Sequence, residues 1–203
     1  CILLKTIEIP QNSELQMIGD FAFYGTLIDK IFIPSTVSSI GYSSFKDIKN
    51  LQKVEIAQKS QLKEIGSYAF NNTSIEQFHI PSSVTRVGSY LFNDCKSLHK
   101  VEISKDSKLK EIGSFAFSNT SIEQFYIPSS VTQIGSYFLF DCKSLLKVEI
   151  SKNSQIRSIP TFAFSNSKIR QIFIPQHVKH IYEQSFLDCH NLKIVEFSRN
   201  SEL

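Results

Sequence analysis

No stretch of this sequence approaches the roughly 18 consecutive apolar residues that would span a membrane. There is no tryptophan, and the formal charge is only +3 with 20% charged residues. A balance so mild, with no clustered basic patch, gives no reason to expect a nucleic-acid partner. Sequence signatures of catalysis are missing as well: no nucleophile motif, no glycine-rich phosphate loop and no zinc-ligand spacing such as CxxC or HxxxH. His177 and His180 lie three apart, but no second cluster accompanies them. The expectation is therefore a protein that is not an enzyme, with no cofactor and no metal. What the chain does have is seventeen phenylalanines and seven tyrosines, ample apolar material for a core.

That material is periodic. Ile33-Pro34, Ile80-Pro81, Ile127-Pro128 and Ile174-Pro175 are each 47 residues apart. Within each 47 lie two related halves, whose [LI]-x-x-hydrophobic-x-[IF] pattern starts at Leu4, Ile28, Leu51, Ile75, Leu98, Ile122, Leu145, Ile169 and Leu192. These starts alternate between steps of 24 and 23 residues without drift. Self-similarity at such a period marks a solenoid, in which each unit buries its apolar face only by stacking on its neighbours. Residues 1–203 are read as one array of about eight coils, a single domain. The end, Asn200-Ser201-Glu202-Leu203, matches Asn12-Ser13-Glu14-Leu15 partway through a coil, so the array is expected to be a piece of a longer one.

Each half-repeat opens on a strand. In Leu98-His99-Lys100-Val101-Glu102-Ile103, period-two alternation turns Leu98, Val101 and Ile103 inward, and Lys100 and Glu102 outward. A turn follows, either Pro81-Ser82-Ser83 or the longer Ser104 to Lys108, and then a second apolar pair such as Val84/Val87 or Leu109/Ile112 on the opposite side of the coil. A glycine recurs at Gly19, Gly41, Gly66, Gly88, Gly113 and Gly135, with Pro160 and Tyr182 in its place in the last two coils. Proline fixes φ near −65° and is welcome in a helix's first turn. The segment is therefore expected to need no positive φ at this position and to open a short helical or 3₁₀ turn. The aromatic four residues on, from Phe23 to Phe186, plugs the core, with Leu139 and Phe140 as a local exception.

The cysteines obey the repeat. Cys1, Cys95, Cys142 and Cys189 each precede a strand start by three residues, a position held elsewhere by Asn72, Asn119 and Asn166, with Gly25 and Ile48 as exceptions. Cysteines two coils apart would be about 9.5 Å apart at the usual strand spacing, beyond the roughly 7 Å a disulfide tolerates. They are read as buried thiols, and the asparagines, including sequon residues Asn72 and Asn119, as inward and poorly placed for glycosylation. Asn71 heads a third sequon that is less constrained, though crowding argues against glycosylation there as well.

Ile80-Pro81, Val84, Val87-Gly88, Phe92, Cys95, Leu98, Val101 and Ile103 together make a pattern that resembles the leucine-rich repeats of BspA-like proteins, also called Treponema-type repeats. The resemblance covers the whole chain. It implies an α/β right-handed solenoid with a parallel sheet on the concave face and a role as a cell-surface or extracellular antigen or adhesin.

The outward strand positions show where such a protein would act. One column runs Glu8, Phe32, Glu55, His79, Glu102, Tyr126, Glu149, Phe173, Glu196, alternating acid and ring. The other begins Thr6, Lys30, Lys53 and ends Gln171, Ile194, placing Lys53/Glu55, Lys100/Glu102 and Lys147/Glu149 two apart on one face. Rings amid charges are what protein interfaces use. Phe32, His79, Tyr126 and Phe173, with those Lys/Glu pairs, are the candidate binding residues for a protein or glycan ligand on a host cell or in the matrix. His79, between two glutamates, could add pH sensitivity. The alternative is a spacer or a scaffold that self-associates end to end through open strand edges.

Overall fold

The computed structural model describes residues 3–203, so Cys1 lies outside the described residues. The chain forms a parallel β-solenoid in which each coil contributes one four-residue and one two-residue strand. The short strands are β1 (Met17–Ile18), β3 (Ser39–Ile40), β5 (Glu64–Ile65), β7 (Arg86–Val87), β9 (Glu111–Ile112), β11 (Gln133–Ile134), β13 (Ser158–Ile159) and β15 (His180–Ile181). Between them run the main strands β2 (Lys30–Ile33), β4 (Lys53–Ile56), β6 (Gln77–Ile80), β8 (Lys100–Ile103), β10 (Gln124–Ile127), β12 (Lys147–Ile150), β14 (Gln171–Ile174) and β16 (Ile194–Phe197). β6 shows the local logic: Gln77 and His79 are exposed while Phe78 and Ile80 are buried.

The main strands do not form one uninterrupted ladder. β2 pairs with β4, β6 with β8, β10 with β12 and β14 with β16, always across the 23-residue step. At the 24-residue step the ladder gives way to a seam. Long bonds cross it, from Glu76 N–H to Gln52 O and from Glu123 N–H to His99 O, each at 3.4 Å. Side chains clamp the same seams at the coil corner. Asn72 Nδ2 donates to Asp47 Oδ1 at 2.6 Å, and Asn119 and Asn166 donate likewise to Asp94 and Asp141. Ser74 and Ser121 hydroxyls add bonds to the Lys49 and Lys96 carbonyls at 2.6 Å.

The short strands behave differently. From β1 to β11 they make one six-stranded sheet, after which β13 and β15 pair alone. Two bonds that join the other coils are missing at that step: Arg157 N–H does not reach Thr132 O in the way that Lys110 N–H reaches Thr85 O, and residue 160 donates nothing. In each coil the residue at the glycine position donates its N–H to the coil before: Gly66 to Ile40 O at 2.7 Å, Gly88 to Ile65 O at 2.8 Å, Gly135 to Ile112 O at 2.8 Å, Tyr182 to Ile159 O at 2.9 Å. Pro160 has no N–H to give. Glycine suits this column because coils touch there. A Cβ on Gly88 would sit 2.3 Å from Ser67 N, and one on Gly113 2.3 Å from Ser89 N.

No helix or 3₁₀ turn follows the glycine among the described residues, contrary to the expectation from Pro160. Two residues on, every coil places a residue in the left-handed region: Phe21, Ser43, Tyr68, Tyr90, Phe115, Tyr137, Phe162 and Gln184, with Tyr90 at φ 58°. A left-handed residue ends a right-handed turn before it can propagate. Four residues later a second one follows, held by Gly25 or by Asp or Asn, as at Asn72 (φ 59°) and Asp94 (φ 63°).

This second left-handed position corrects the reading of the cysteine column. Asn72, Asn119 and Asn166 align with Asp94 and Asp141, not with the cysteines, because that arc of the coil is one residue shorter between glycine and strand. The inward position is Thr26, Ile48, Thr73, Cys95, Thr120, Cys142, Ser167, Cys189. Thr73 Oγ1 and Cys95 Sγ both donate to the Phe70 carbonyl, at 2.9 and 3.1 Å, and lie 3.3 Å apart. Burial pushes the Cys95 and Cys142 thiols up to about 11, so these are inert structural groups. Cys95, Cys142 and Cys189 are all unpaired.

The phenylalanine plugs stack face to face from Phe23 through Phe45, Phe70 and Phe92 to Phe117, with centroids 5.2–5.6 Å apart. At the exception, Phe138 and Leu139 are both fully buried, and Phe138 meets Phe117 edge-on at 88°. Phe140 is displaced outward.

Candidate recognition face

The pleat and the pairing register together build the outward face of the main strands. Phe32 lies opposite Glu55, His79 opposite Glu102, Tyr126 opposite Glu149 and Phe173 opposite Glu196. All ten candidate residues thus stand on one side of the molecule. Phe32, Tyr126 and Phe173 are half-buried and His79 is exposed. Each ring flanks acids rather than other rings, which keeps glutamates of alternate strands from lying directly side by side.

Lysine and glutamate meet within each charged strand. Lys53 contacts Glu55, Lys100 Nζ is 2.6 Å from Glu102, and Lys147 Nζ is 3.1 Å from Glu149. The ammonium groups hold the Glu55 and Glu102 carboxyls below the usual carboxylate value, chiefly by hydrogen bonding. All these groups are more than half exposed, so the pairs order the face more than they stabilise the fold. His79 Nδ1 approaches Glu102 at 3.8 Å.

The seams give the face its relief. Beside each ring lies an open depression on the side of the preceding strand. That beside Tyr126, about 390 Å³, is floored by Val101 and Phe125 and walled by Lys100, Gln124 and Glu149. That beside His79, about 470 Å³, has Val54 and Phe78 beneath and Lys53, Gln77 and Glu102 around it. Phe32 and Phe173 border two more. Residues just before the strands, Glu76, His99 and Glu123, complete these walls. The sequence pattern singled out only the strand positions themselves.

A second aromatic column, unforeseen from sequence, runs along the glycine turns at the first left-handed position. Tyr68, Tyr90, Phe115, Tyr137 and Phe162 stack at 4.3–4.7 Å with interplanar angles of 6–12°. Their faces are spent on each other, and stacking offsets the strain of placing bulky residues at positive φ. The sequon asparagines sit near this edge. Asn71 is buried and donates to Asn93 O at 2.7 Å, while Asn72 and Asn119 are committed to aspartates.

Among the described residues no group of three or more His, Cys, Asp or Glu is placed to hold a metal ion, and no helix is long and apolar enough to cross a membrane.

The BspA type leucine-rich repeat region matches the sequence in six copies, over residues 1–99 and 110–202, and the chain belongs to that family. A comparison with curated proteins returns no match. Among solved structures the chain is similar to the pneumococcal vaccine antigen PcpA, with 24% identity and a TM-score of 0.58 over 98% of this chain and 57% of that one. It is similar also to a leucine-rich repeat protein from Eubacterium ventriosum, with 24% identity and a TM-score of 0.61 over 96% of this chain and 55% of that one. The T. pallidum leucine-rich repeat protein matches with 21% identity and a TM-score of 0.53 over 96% and 69%. The chain spans little more than half the length of the first two. At these identities the likeness is one of fold.

Proposed function

We propose that this BspA-type repeat protein is a non-enzymatic recognition module of the cell surface or extracellular space. Its main-strand face would bind a protein or glycan of a host cell or matrix. The observation that carries this reading is the column Phe32, His79, Tyr126, Phe173, each ring beside its own depression and flanked by ordered Lys–Glu pairs. Half-buried rings bring large contact area at little entropic loss, and the charged groups around them form a polar rim. The kinship with proteins that include a vaccine antigen supports a surface location, since an antigen must be reachable.

The test compares binding of the protein to epithelial cells and purified matrix proteins with that of a variant carrying Phe32→Ser, His79→Ser, Tyr126→Ser and Phe173→Ser. Both must first show the same cooperative melt. Loss of binding in the variant is the expected result; equal binding by both moves the contact off this face and overturns the reading.

A further inference from the structure

Sulfur ties no coils together among the described residues. Cys95, Cys142 and Cys189 are all unpaired, and burial leaves the Cys95 and Cys142 thiols at about 11, protonated and inert. The aromatic column along the glycine turns offers another chemistry. Tyr68 and Tyr90 occupy matching positions on neighbouring coils, with ring centroids 4.6 Å apart and planes 6° from parallel. Backbone bonds hold that register: Tyr68 N–H donates to Ser89 O at 2.9 Å, and Phe70 N–H to Leu91 O at 3.1 Å.

No second pair of phenols is placed this way. Among the described residues the one other tyrosine contact is Tyr42 with Tyr68, at 5.6 Å and with planes 63° apart. Further along the column, Tyr90 and Tyr137 each stack on Phe115, which has no phenolic hydrogen to lose. Tyr68 and Tyr90 are both only partly buried, so their rims are open to solvent. Parallel rings in contact need only a tilt toward each other to meet, with the backbone already in place.

We propose that Tyr68 and Tyr90 form an oxidative modification site, which hydrogen peroxide and a haem peroxidase convert to a dityrosine joining two coils. Each phenol gives up one electron and its hydroxyl proton, and the peroxide that takes both pairs becomes two waters. The two phenoxyl radicals form a carbon–carbon bond between ring positions ortho to the hydroxyls. The hydrogens on those carbons then return to the oxygens as the rings regain aromaticity. Tyr68 follows β5 and Tyr90 follows β7, so the bond ties the coils on either side of the β4–β6 seam, where the main-strand ladder is interrupted. It is the covalent staple that the buried thiols cannot make, and it is independent of which ligand the main-strand face takes.

The experiment treats the whole chain with a haem peroxidase and hydrogen peroxide at neutral pH. Trypsin, cutting after Lys63, Arg86 and Lys96, places the two tyrosines on separate peptides, residues 64–86 and 87–96. The expected product is a monomer lighter by two hydrogens, with dityrosine fluorescence and those two peptides linked. Because the partners are already positioned, the step is effectively unimolecular, and the monomeric yield should be the same at every protein concentration. Tyr90→Phe keeps the stacked ring but should cut that yield by about tenfold or more, while Tyr137→Phe leaves it unchanged. The purified product should unfold at higher urea than the untreated chain, since a closed loop restricts the unfolded state. Linkage of Tyr42 to Tyr68 as the main product, formation of cross-linked dimers alone, or no loss of mass overturns the inference. So does a monomeric yield that survives Tyr90→Phe, or a urea midpoint that the bond does not move.

Discussion

At the residue scale the corner aspartates carry the most consequence. Asp47, Asp94 and Asp141 receive the amides of Asn72, Asn119 and Asn166 across the seams where the main-chain ladder is weakest. Burial alone would raise the Asp47 carboxyl, but bonds from Asn72 and Tyr24 and the nearby Lys46 outweigh it and hold it below its usual 3.8. A group depressed on folding contributes stability that is complete above the unfolded value and disappears as pH falls through the lower, folded one. Asp47→Asn keeps the shape and an acceptor for Asn72 but removes the charge. Urea melts at neutral pH should show the variant weaker by about 0.2–1 kcal/mol, a small figure because the side chain is partly solvated. Near pH 2 to 3 the difference should close. A gap that persists unchanged in acid means that geometry, not charge, does the clamping. The sequence pattern could not reveal these clamps: counting back from the strand placed Asn72 in the cysteine column, whereas counting forward from the glycine puts it one residue earlier, in a left-handed corner that Asn, Asp and Gly tolerate.

At the element scale, alternation of coil type governs both sheets. Strand spans, inward registers and the outward columns were legible because period two and period 47 both survive in the sequence without drift. The seams were not legible, because main-chain bonding at a 24-residue step depends on how two turns of unequal length deliver their strands. The missing helix has a similar origin. Pro160 correctly excluded positive φ at its own position, but it said nothing of Phe162 two residues later, at φ 55°. Pro160 itself marks the one interruption in the short-strand sheet, and Pro160→Gly should repair it. The variant supplies an N–H toward Ile134 O and no Cβ to hold the coils apart. Hydrogen exchange should find a protected amide at residue 160, and cross-strand proton contacts should join β11 to β13. Fast exchange at 160 would mean that Ser158 and Ile159 are held away from β11 by something other than the proline. Gains in melting temperature are a poorer readout, since losing a proline also loosens the unfolded chain by about 0.4–1 kcal/mol.

For the whole molecule, what matters is that 47 residues, not 23 or 24, form the unit in which the strand pairings, the seam clamps and the outward rings repeat. Deleting residues 75–121 joins Ser74 to Ile122, repeating the natural Ser121-Ile122 junction. The shortened array keeps every pairing type, a clamp at each remaining seam (Asn72–Asp47 and Asn166–Asp141) and three rings: Phe32, Tyr126 and Phe173. It should melt cooperatively at a lower temperature, because stability in a stacked array grows with the number of coil interfaces. Deleting residues 75–97 alone removes nearly half as much chain yet should do more damage. It sets β4 against β8, so Lys53 faces Lys100 and Glu55 faces Glu102, and like charges directly opposite are destabilising. The coil that follows also meets a neighbour of the wrong type, with a ladder expected where turn lengths provide a seam. Circular dichroism melts of the two deletions decide the matter. If the 23-residue deletion is as stable as the 47-residue one, the coils are interchangeable and the two-coil unit has no physical standing. If it is less stable, the alternation that places the rings on every second main strand is itself enforced by folding.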